Sequence, residues 1–292
     1  MIFAGGPYQQ TVAGLRDGLK ELGLEDGKRV VFEIHDTKGD SKAAETAAAA
    51  LEQKKVDLIF SLPSSVSLIA QRATTSVPIV FYAGSDPVES GLVKTYANPG
   101  GRLTGVHSMS SDLTGKRLEL LKEIAPKVRR IVTFYSPSNP VTGISVKSAQ
   151  EAARRLGIEV VEHRIRSVEE LRSGLETIKT DEADSLFIVS DALVISQAQL
   201  VVDAAKKRRL PSMFTDPTPV ETGGLASYGV SYYAIGRAAA KYVYRLLLGA
   251  RPTDLPVERL DRFELVINAR TAREIGLVIP GSVLLRADRI IE

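Results

Sequence analysis

The chain has 292 residues, of which 44% are hydrophobic and 25% are charged, and its formal net charge at pH 7 is +3. Such a chain is globular and long enough to build two cores, and no apolar run approaches the roughly 20 residues that a membrane-spanning helix needs. It contains no cysteine, which excludes disulfides, thiolate nucleophiles and cysteine-ligated metals.

Apolar runs and helical patterns alternate over the first third of the chain. Strands are predicted at 30–35, 57–62, 78–83 and 104–108, and helices at 11–22, 41–55 and 64–75. Ser41 is the predicted N-cap of the second helix. The order βαβαβ predicts a parallel sheet covered by helices on both faces.

The alternation starts again after NPGGRLTG (98–105), which has the composition of a linker. Strands are predicted at 130–135, 159–164, 185–190, 212–214 and 225–228, and helices at 143–156, 168–178 and 195–209. The last part adds a long helix at 233–248, a strand at 263–268 and a short helix at 271–276. One long helix and one strand cannot form a third domain, so we expect them to complete the first two.

The predicted fold class is therefore α/β, with two doubly wound parallel-sheet lobes joined by a hinge. We expect lobe one to comprise residues 1–107 and about 230–256, and lobe two to comprise 108–229 and about 257–292. Ligands of open parallel sheets bind beyond the carboxyl ends of the strands. The ligand cleft is accordingly expected between the two lobes, where those ends would face each other.

In lobe one, the loops after strands contain the candidate ligand-binding residues Tyr8, Ser64, Ser65 and Asp86. Ser64 or Ser65 either caps the helix that Pro63 starts, or forms an anion site together with the free amides of the first helical turn. Asp86 is predicted to shape a rigid turn by accepting hydrogen bonds from nearby amides, with ligand contact as the second possibility. Tyr8 either stacks on a ligand side group or packs within the lobe.

In lobe two, the corresponding candidates are Ser136, Asn139, Asp191 and Asp216. Asp191 follows an apolar strand and either holds an ammonium group or caps a helix that begins near Val194. Asn139 either contacts the ligand or stabilises an Asx-turn. An anion-binding helix start in one lobe and a carboxylate in the other suit a zwitterion such as an amino acid.

Other site chemistries have little support in the sequence. The basic run at 206–209 ends a helical pattern and is interpreted as a solvated helix end, so no nucleic-acid partner is expected. There is no G-x-S-x-G, Walker or G-x-G-x-x-G motif. The three histidines His35, His107 and His163 are dispersed, so neither a metal nor a cofactor is predicted.

A series of phrases in order along the chain resembles a known family, the ABC transporter substrate-binding proteins that include the tryptophan- and tyrosine-binding periplasmic proteins and lipoproteins. The phrases are GLRDGLKELG, VPIVFYAGSDPVESGLV, PGGRLTG, GKRLELLKEIAP, LPSMFTD, GGLASYG and FELVINARTAREIGLVIPGSVLLRAD. They extend from residue 14 to the C-terminus, so the resemblance covers essentially the whole chain.

The resemblance implies a periplasmic binding protein type I-like fold without enzymatic activity. Such a protein captures an amino acid, an aromatic one as the first expectation, by lobe closure and delivers it to an ABC permease. The resemblance also implies that the Ser64–Ser65 loop binds the ligand carboxylate, Asp191 its amino group, and Asn139 a further polar group. The chain departs from the amino-acid binders at Ala192, where they tend to carry Asn, and in the proline-rich SPSNP loop.

The expected location is the periplasm, or a membrane anchor on the outer side of the cytoplasmic membrane, with a signal peptide upstream of Met1. We expect a monomer. Two other functions remain open at this point: a ligand-sensing regulatory core of the same two-lobed fold, and an enzyme with its site in the same cleft.

Overall fold

The computed structural model describes residues 1–139, 141–179 and 183–292. Its contacts divide the chain into two units, each made of two segments. Unit 1 comprises Met1–Met109 and Tyr232–Asp261, and unit 2 comprises Ser110–Ser231 and Arg262–Glu292. Among the described residues, no helix combines the length and apolar character that crossing a membrane requires.

The elements follow one another along the chain in a mostly alternating order. Unit 1 begins with β1 (Ile2–Phe3), α1 (Gln10–Glu21), β2 (His35–Asp36), α2 (Ser41–Gln53), β3 (Ile59–Leu62), α3 (Ser64–Ala73), β4 (Ile79–Ala83) and β5 (Leu103–His107). Unit 2 continues with α4 (Thr114–Ile124), β6 (Arg130–Tyr135), α5 (Thr142–Leu156), β7 (Glu159–Arg164), α6 (Val168–Thr177), β8 (Ser185–Phe187), α7 (Ala192–Ser196), α8 (Ala198–Arg208), β9 (Ser212–Phe214), α9 (Thr218–Glu221) and β10 (Ala226–Gly229). The chain ends with α10 (Tyr232–Leu247) and β11 (Glu258–Arg259) in unit 1, then β12 (Glu264–Asn268), α11 (Ala269–Glu274), α12 (Gly281–Leu284) and β13 (Arg289–Ile291) in unit 2.

The sheet of unit 1 has the order β11-β5-β4-β3-β1-β2, and its neighbouring strands are parallel. Strands β3, β4 and β5 are buried along their whole length, as expected for a sheet covered on both faces. The prediction of a strand at 30–35 is wrong for most of that segment. Because β1 has only two residues, it pairs with His35 and Asp36 alone, and the side chain of Val31 is 88% exposed.

Helices α1 and α10 of unit 1 pack closely because glycines lie at their contact. A Cβ added to Gly14 would overlap the carbonyl oxygen of Tyr233, and one added to Gly236 would overlap the carbonyl oxygen of Thr11. This contact joins a helix near the start of the chain to one that returns after unit 2. It therefore fixes the returning segment to unit 1.

The sheet of unit 2 has the order β13-β12-β10-β9-β8-β6-β7. All neighbouring strands pair in parallel except β10 and β12, so β12 and β13 both run opposite to the other five strands. Apolar side chains of α4 and α5 pack on this sheet in one core, with Leu118, Ile131 and Phe187 fully buried. The α/β fold class predicted from the sequence is confirmed in both units.

Several local predictions need correction. The N-cap of α2 is Asp40 and not Ser41, because the Asp40 carboxylate accepts hydrogen bonds from the amides of Lys42 and Ala43. The helix predicted at 195–209 is two helices that meet at Gln197. The sequence reading missed helix α4 altogether.

The segment 98–105, predicted as a linker, lies inside unit 1 and leads into β5. Its residue Arg102 donates hydrogen bonds to the carbonyl oxygens of Val77, Gln71 and Thr74. The guanidinium thus satisfies carbonyl groups at and beyond the C-terminal end of α3. Its role is structural.

Candidate functional site

Each sheet reverses its strand order at one place. In unit 1 the order β2-β1-β3-β4 reverses between β1 and β3, and in unit 2 the order β7-β6-β8-β9 reverses between β6 and β8. Ligands of doubly wound sheets bind beyond the carboxyl ends of the strands at such switch points, because the flanking helices diverge there. The residues after these four strands are therefore the first place to look for a site in either unit.

Ser64 follows β3 in unit 1 and is fully buried. Its hydroxyl accepts hydrogen bonds from the amides of Gly84 and Ser85 at 3.0 and 3.3 Å, and lies 2.9 Å from the Ser85 hydroxyl. The prediction that Ser64 caps α3 is wrong, because Pro63 occupies the N-cap and no side chain caps the helix. Ser64 instead joins the start of α3 to the loop after β4.

This leaves the first turn of α3 without a side-chain cap. Ser65 is the second residue of the helix and is half-buried, whereas the Ser64 hydroxyl is already engaged with the loop after β4. The first amide groups of any helix lack an acceptor within the helix and carry its positive dipole end. A carboxylate is a suitable acceptor for such groups.

Buried aromatic rings also lie near the strand ends of unit 1. Tyr8, after β1, packs on Tyr232 with ring centroids 4.6 Å apart, and Tyr82 meets Tyr232 edge to face at 6.2 Å. The Tyr82 hydroxyl lies 2.7 Å from that of Ser108. Of the two alternatives predicted for Tyr8, packing within its own lobe is thus observed. A contact between these rings and a ligand remains a prediction.

Asp86 shapes the loop after β4. Its carboxylate accepts hydrogen bonds from the amide of Val88 at 2.7 Å, the amide of Glu89 at 3.2 Å and the hydroxyl of Tyr96 at 2.7 Å. Burial acts to raise its pKa, but these hydrogen bonds and nearby His107 outweigh it, and the pKa lies below its usual value. The turn predicted at Asp86 is confirmed: Oδ1 accepts from the two turn amides, and Oδ2 accepts from the Tyr96 hydroxyl.

Asp191 follows β8 at the switch point of unit 2 and is fully buried. One carboxylate oxygen accepts a hydrogen bond from the amide of Val194 at 3.1 Å, which caps α7. The other accepts from the amide of Ser136 at 3.1 Å, the hydroxyl of Thr142 at 2.8 Å and the side-chain amide of Asn139 at 3.4 Å. All four donors are neutral, and burial raises the pKa of Asp191 despite them.

The structure therefore brings together Asp191, Ser136 and Asn139, three residues that the sequence proposed separately. Asn139 forms the predicted Asx-turn, because its Oδ1 accepts a hydrogen bond from the amide of Val141, while its Nδ2 donates to Asp191. A contact between Asn139 and a ligand remains a prediction. The Ser136 hydroxyl lies 2.8 Å from that of Ser138. Thr142, which the sequence reading missed, completes the group as the first residue of α5.

Asp216 belongs to a different cluster in unit 2. It is buried after β9, where it accepts a hydrogen bond from the amide of Thr218 at 3.0 Å. Burial raises the pKa of Asp216 to about 7, against the opposing effects of Thr218 and the cation Arg117. Arg117 was not predicted, although the sequence held a signal for it. It lies at i, i+4, i+7 spacing with Leu121 and Ile124, on the buried side of α4.

The comparisons with known proteins agree with one family. A family model described as ABC transporter substrate binding protein matches residues 2–291. The tyrosine-binding protein of Clostridioides difficile (strain R20291) is 29% identical over 264 residues, which is 90% of this chain and 76% of that protein.

Two solved structures are similar over almost their full length. A conserved domain protein from Vibrio cholerae has a TM-score of 0.89 and 30% identity, covering 99% of this chain and 97% of that chain. An ABC domain in complex with L-Trp from Streptococcus pneumoniae has a TM-score of 0.87 and 28% identity, with the same coverage. Together with the match over residues 2–291, these similarities confirm the resemblance seen in the sequence. The chain belongs to the family of ABC transporter substrate binding proteins.

Proposed function

We propose that this protein is the solute-binding component of an ABC importer and that its ligand is an amino acid, with tryptophan and tyrosine as the first candidates. The observation that carries the proposal is the buried Asp191 carboxylate at the switch point of unit 2, whose four hydrogen-bond donors are all neutral. A buried carboxylate is most stable when a positive group accompanies it. The ammonium group of a ligand would supply that charge by a charge-assisted hydrogen bond.

The other half of the zwitterion would be held by unit 1. The uncapped first turn of α3, with the half-buried Ser65, offers amide and hydroxyl donors to a carboxylate. The ligand would thus contact both units, and Tyr8 and Tyr82 would lie near its side group. The proposal is supported by the names of two relatives, one a tyrosine-binding protein and the other a domain in complex with L-Trp.

The remaining parts of the proposal follow from the family. The protein would deliver its ligand to a membrane permease, act as a monomer, and work outside the cytoplasm, either free in the periplasm or anchored to the outer side of the cytoplasmic membrane. It would catalyse no reaction. Light scattering of the purified protein measures the predicted monomer mass directly.

Isothermal titration calorimetry with matched ligands tests the zwitterion requirement. L-tryptophan and L-tyrosine are expected to bind, whereas tryptamine, which lacks the carboxylate, and indole-3-propionate, which lacks the ammonium group, should bind at least about 10-fold more weakly. Equal affinity for all four compounds would contradict the proposed arrangement. If no member of a panel of the common amino acids binds, the ligand class itself is wrong.

Asp191→Asn is the matching protein variant, expected to weaken L-tryptophan binding about 10- to 100-fold. The control is Asp184→Asn, because Asp184 also accepts hydrogen bonds from backbone amides in unit 2, those of Arg129 and Arg130 at the opposite end of β6. Unchanged affinity in Asp191→Asn, or an equal loss in Asp184→Asn, would remove Asp191 from the ligand site.

A further inference from the structure

The chain passes between the two units at three places, and the first is held in an unusual conformation. These crossings are Met109–Ser110, Ser231–Tyr232 and Asp261–Arg262. Met109 has φ of 51°, in the left-handed region that residues other than glycine rarely adopt. Such a conformation persists only where the surrounding structure holds it.

Arg117 of α4 binds the chain beside two of these crossings. Its Nη1 donates to the carbonyl oxygen of Ser110 at 2.8 Å and its Nη2 to the Ser110 hydroxyl at 2.8 Å. Its Nε donates to the carbonyl oxygen of Tyr228 at 2.7 Å. Ser110 comes directly after the first crossing, and Tyr228 comes three residues before Ser231. One guanidinium therefore joins the chain that enters unit 2 to the chain that is about to leave it.

The surroundings of Arg117 leave its side chain little freedom. Arg117 is 0% exposed, which for an arginine requires satisfied donors and a counter-charge. Asp216, two residues after β9, supplies that charge when it is ionised, and Glu221 of α9 is the other charged group that acts on Asp216. A Cβ added to Gly229 would overlap the carbonyl oxygen of Thr215, so the ends of β9 and β10 pack tightly beside the guanidinium.

We propose that Arg117 is a positioning residue that fixes the first and second crossings and thereby controls the movement of the two units during ligand capture. The part about capture rests on the proposed function; the part about the crossings does not. The planar guanidinium suits this task because it can donate to two chain segments at once, which a lysine ammonium does less well. Removing the guanidinium would let the chain at the crossings adopt more conformations. A smaller fraction of molecules would then be in the conformation that binds the ligand.

Single-molecule fluorescence energy transfer tests the proposal, and the absence of cysteine makes labelling specific. Dyes are attached to Glu45→Cys in unit 1 and Lys147→Cys in unit 2, both at exposed positions. In the ligand-free protein, Arg117→Met is expected to broaden the distribution of transfer efficiencies and Ser110→Ala to broaden it less. The control Arg286→Met removes an exposed arginine of unit 2 that pairs with Glu123, and should leave the distribution unchanged.

Calorimetry on the same variants measures the consequence for capture. Arg117→Met should weaken L-tryptophan binding about 10-fold, because the apparent dissociation constant rises as the competent fraction falls. Arg117→Lys should give an intermediate value. A wild-type distribution in both folded Arg117→Met and Ser110→Ala would overturn the proposal, and Ser110→Ala decides alone if Arg117→Met does not fold. If wild-type protein binds no amino acid, the proposed function fails, but the ligand-free distributions still decide the role of Arg117.

Discussion

Asp191 and Asp216 are both buried acids of unit 2, but different groups surround them. Asp191 accepts hydrogen bonds from neutral donors, whereas Asp216 lies near the cation Arg117 and the anion Glu221. Burial raises the pKa of both. A positive charge on a ligand would compensate the negative charge of Asp191. Near Asp216 the protein itself provides a positive charge, that of Arg117. This difference favours Asp191 over Asp216 as the proposed ligand-binding acid.

The pKa of Asp216 leads to a prediction about stability and pH. Because the pKa is about 7 in the folded chain and 3.8 without its surroundings, the folded state binds more protons than the unfolded state between these values. The free energy of unfolding therefore falls as pH rises through this window, by up to about 1.4 kcal/mol per pH unit from this group. Asp216→Asn should lack that contribution, so wild type loses stability relative to the variant from pH 5 to pH 7. Chemical unfolding at several pH values measures the difference, and parallel curves would contradict it.

Ser64 and Ser65 are adjacent but should respond differently to substitution. Ser64→Ala leaves the amides of Gly84 and Ser85 without their acceptor, which is expected to destabilise the fold by about 1–3 kcal/mol. Ser65→Ala should leave the melting temperature unchanged and weaken binding of L-tryptophan about 10-fold, because the proposed hydrogen bond to the ligand carboxylate would be lost. Thermal unfolding and calorimetry on both variants separate the two roles, and the reverse pattern would refute them.

Part of this residue-level picture was predictable from the sequence. The turn at Asp86, the helix cap at Asp191 and the Asx-turn at Asn139 depend on neighbours within three residues, so local patterns were enough. The contacts of Ser64 with Gly84 and of Arg117 with Tyr228 were not predictable, because these partners lie 20 and 111 positions away along the chain. Only the fold brings such pairs together.

At the scale of elements, the bounds of some strands were predictable and those of others were not. The bounds predicted for β6, β7 and β9 agree with the structure, and β6 contains the β-branched and aromatic run 131–135. The segment 30–35 carries a similar run, yet most of it forms no strand because two-residue β1 offers few partners. Likewise, the direction of β12 depends on its neighbour β10 and not on its own composition.

The contact of α1 with α10 gives a prediction at this scale. Gly14→Ala or Gly236→Ala should force the helices apart and lower the free energy of unfolding by about 1–3 kcal/mol. The matched control is Gly143→Ala in α5, where an added Cβ meets no atom within 4 Å and is expected to be neutral or slightly stabilising. Urea unfolding of the three variants measures the effect. Similar values for all three would show that the close approach is unimportant.

At the scale of the whole molecule, the chain builds two α/β units and passes between them three times. Each unit carries most of its candidate residues at the switch point of its own sheet, after β1 and β3 in one and after β6 and β8 in the other, whereas Asp86 follows β4 and Asp216 follows β9. The repeated order of strands made the fold class predictable from alternating patterns. The identity of the ligand was not, because it depends on side chains from several loops whose distances only the folded chain defines.

The proposed mode of ligand binding is tested most directly by a crystal structure of the protein in complex with L-tryptophan, or with L-tyrosine if that binds more tightly. We expect the ligand ammonium group within hydrogen-bond distance of Asp191 and the ligand carboxylate at the first turn of α3 beside Ser65. A ligand bound in the opposite orientation, or one that contacts neither Asp191 nor the start of α3, would contradict this binding mode.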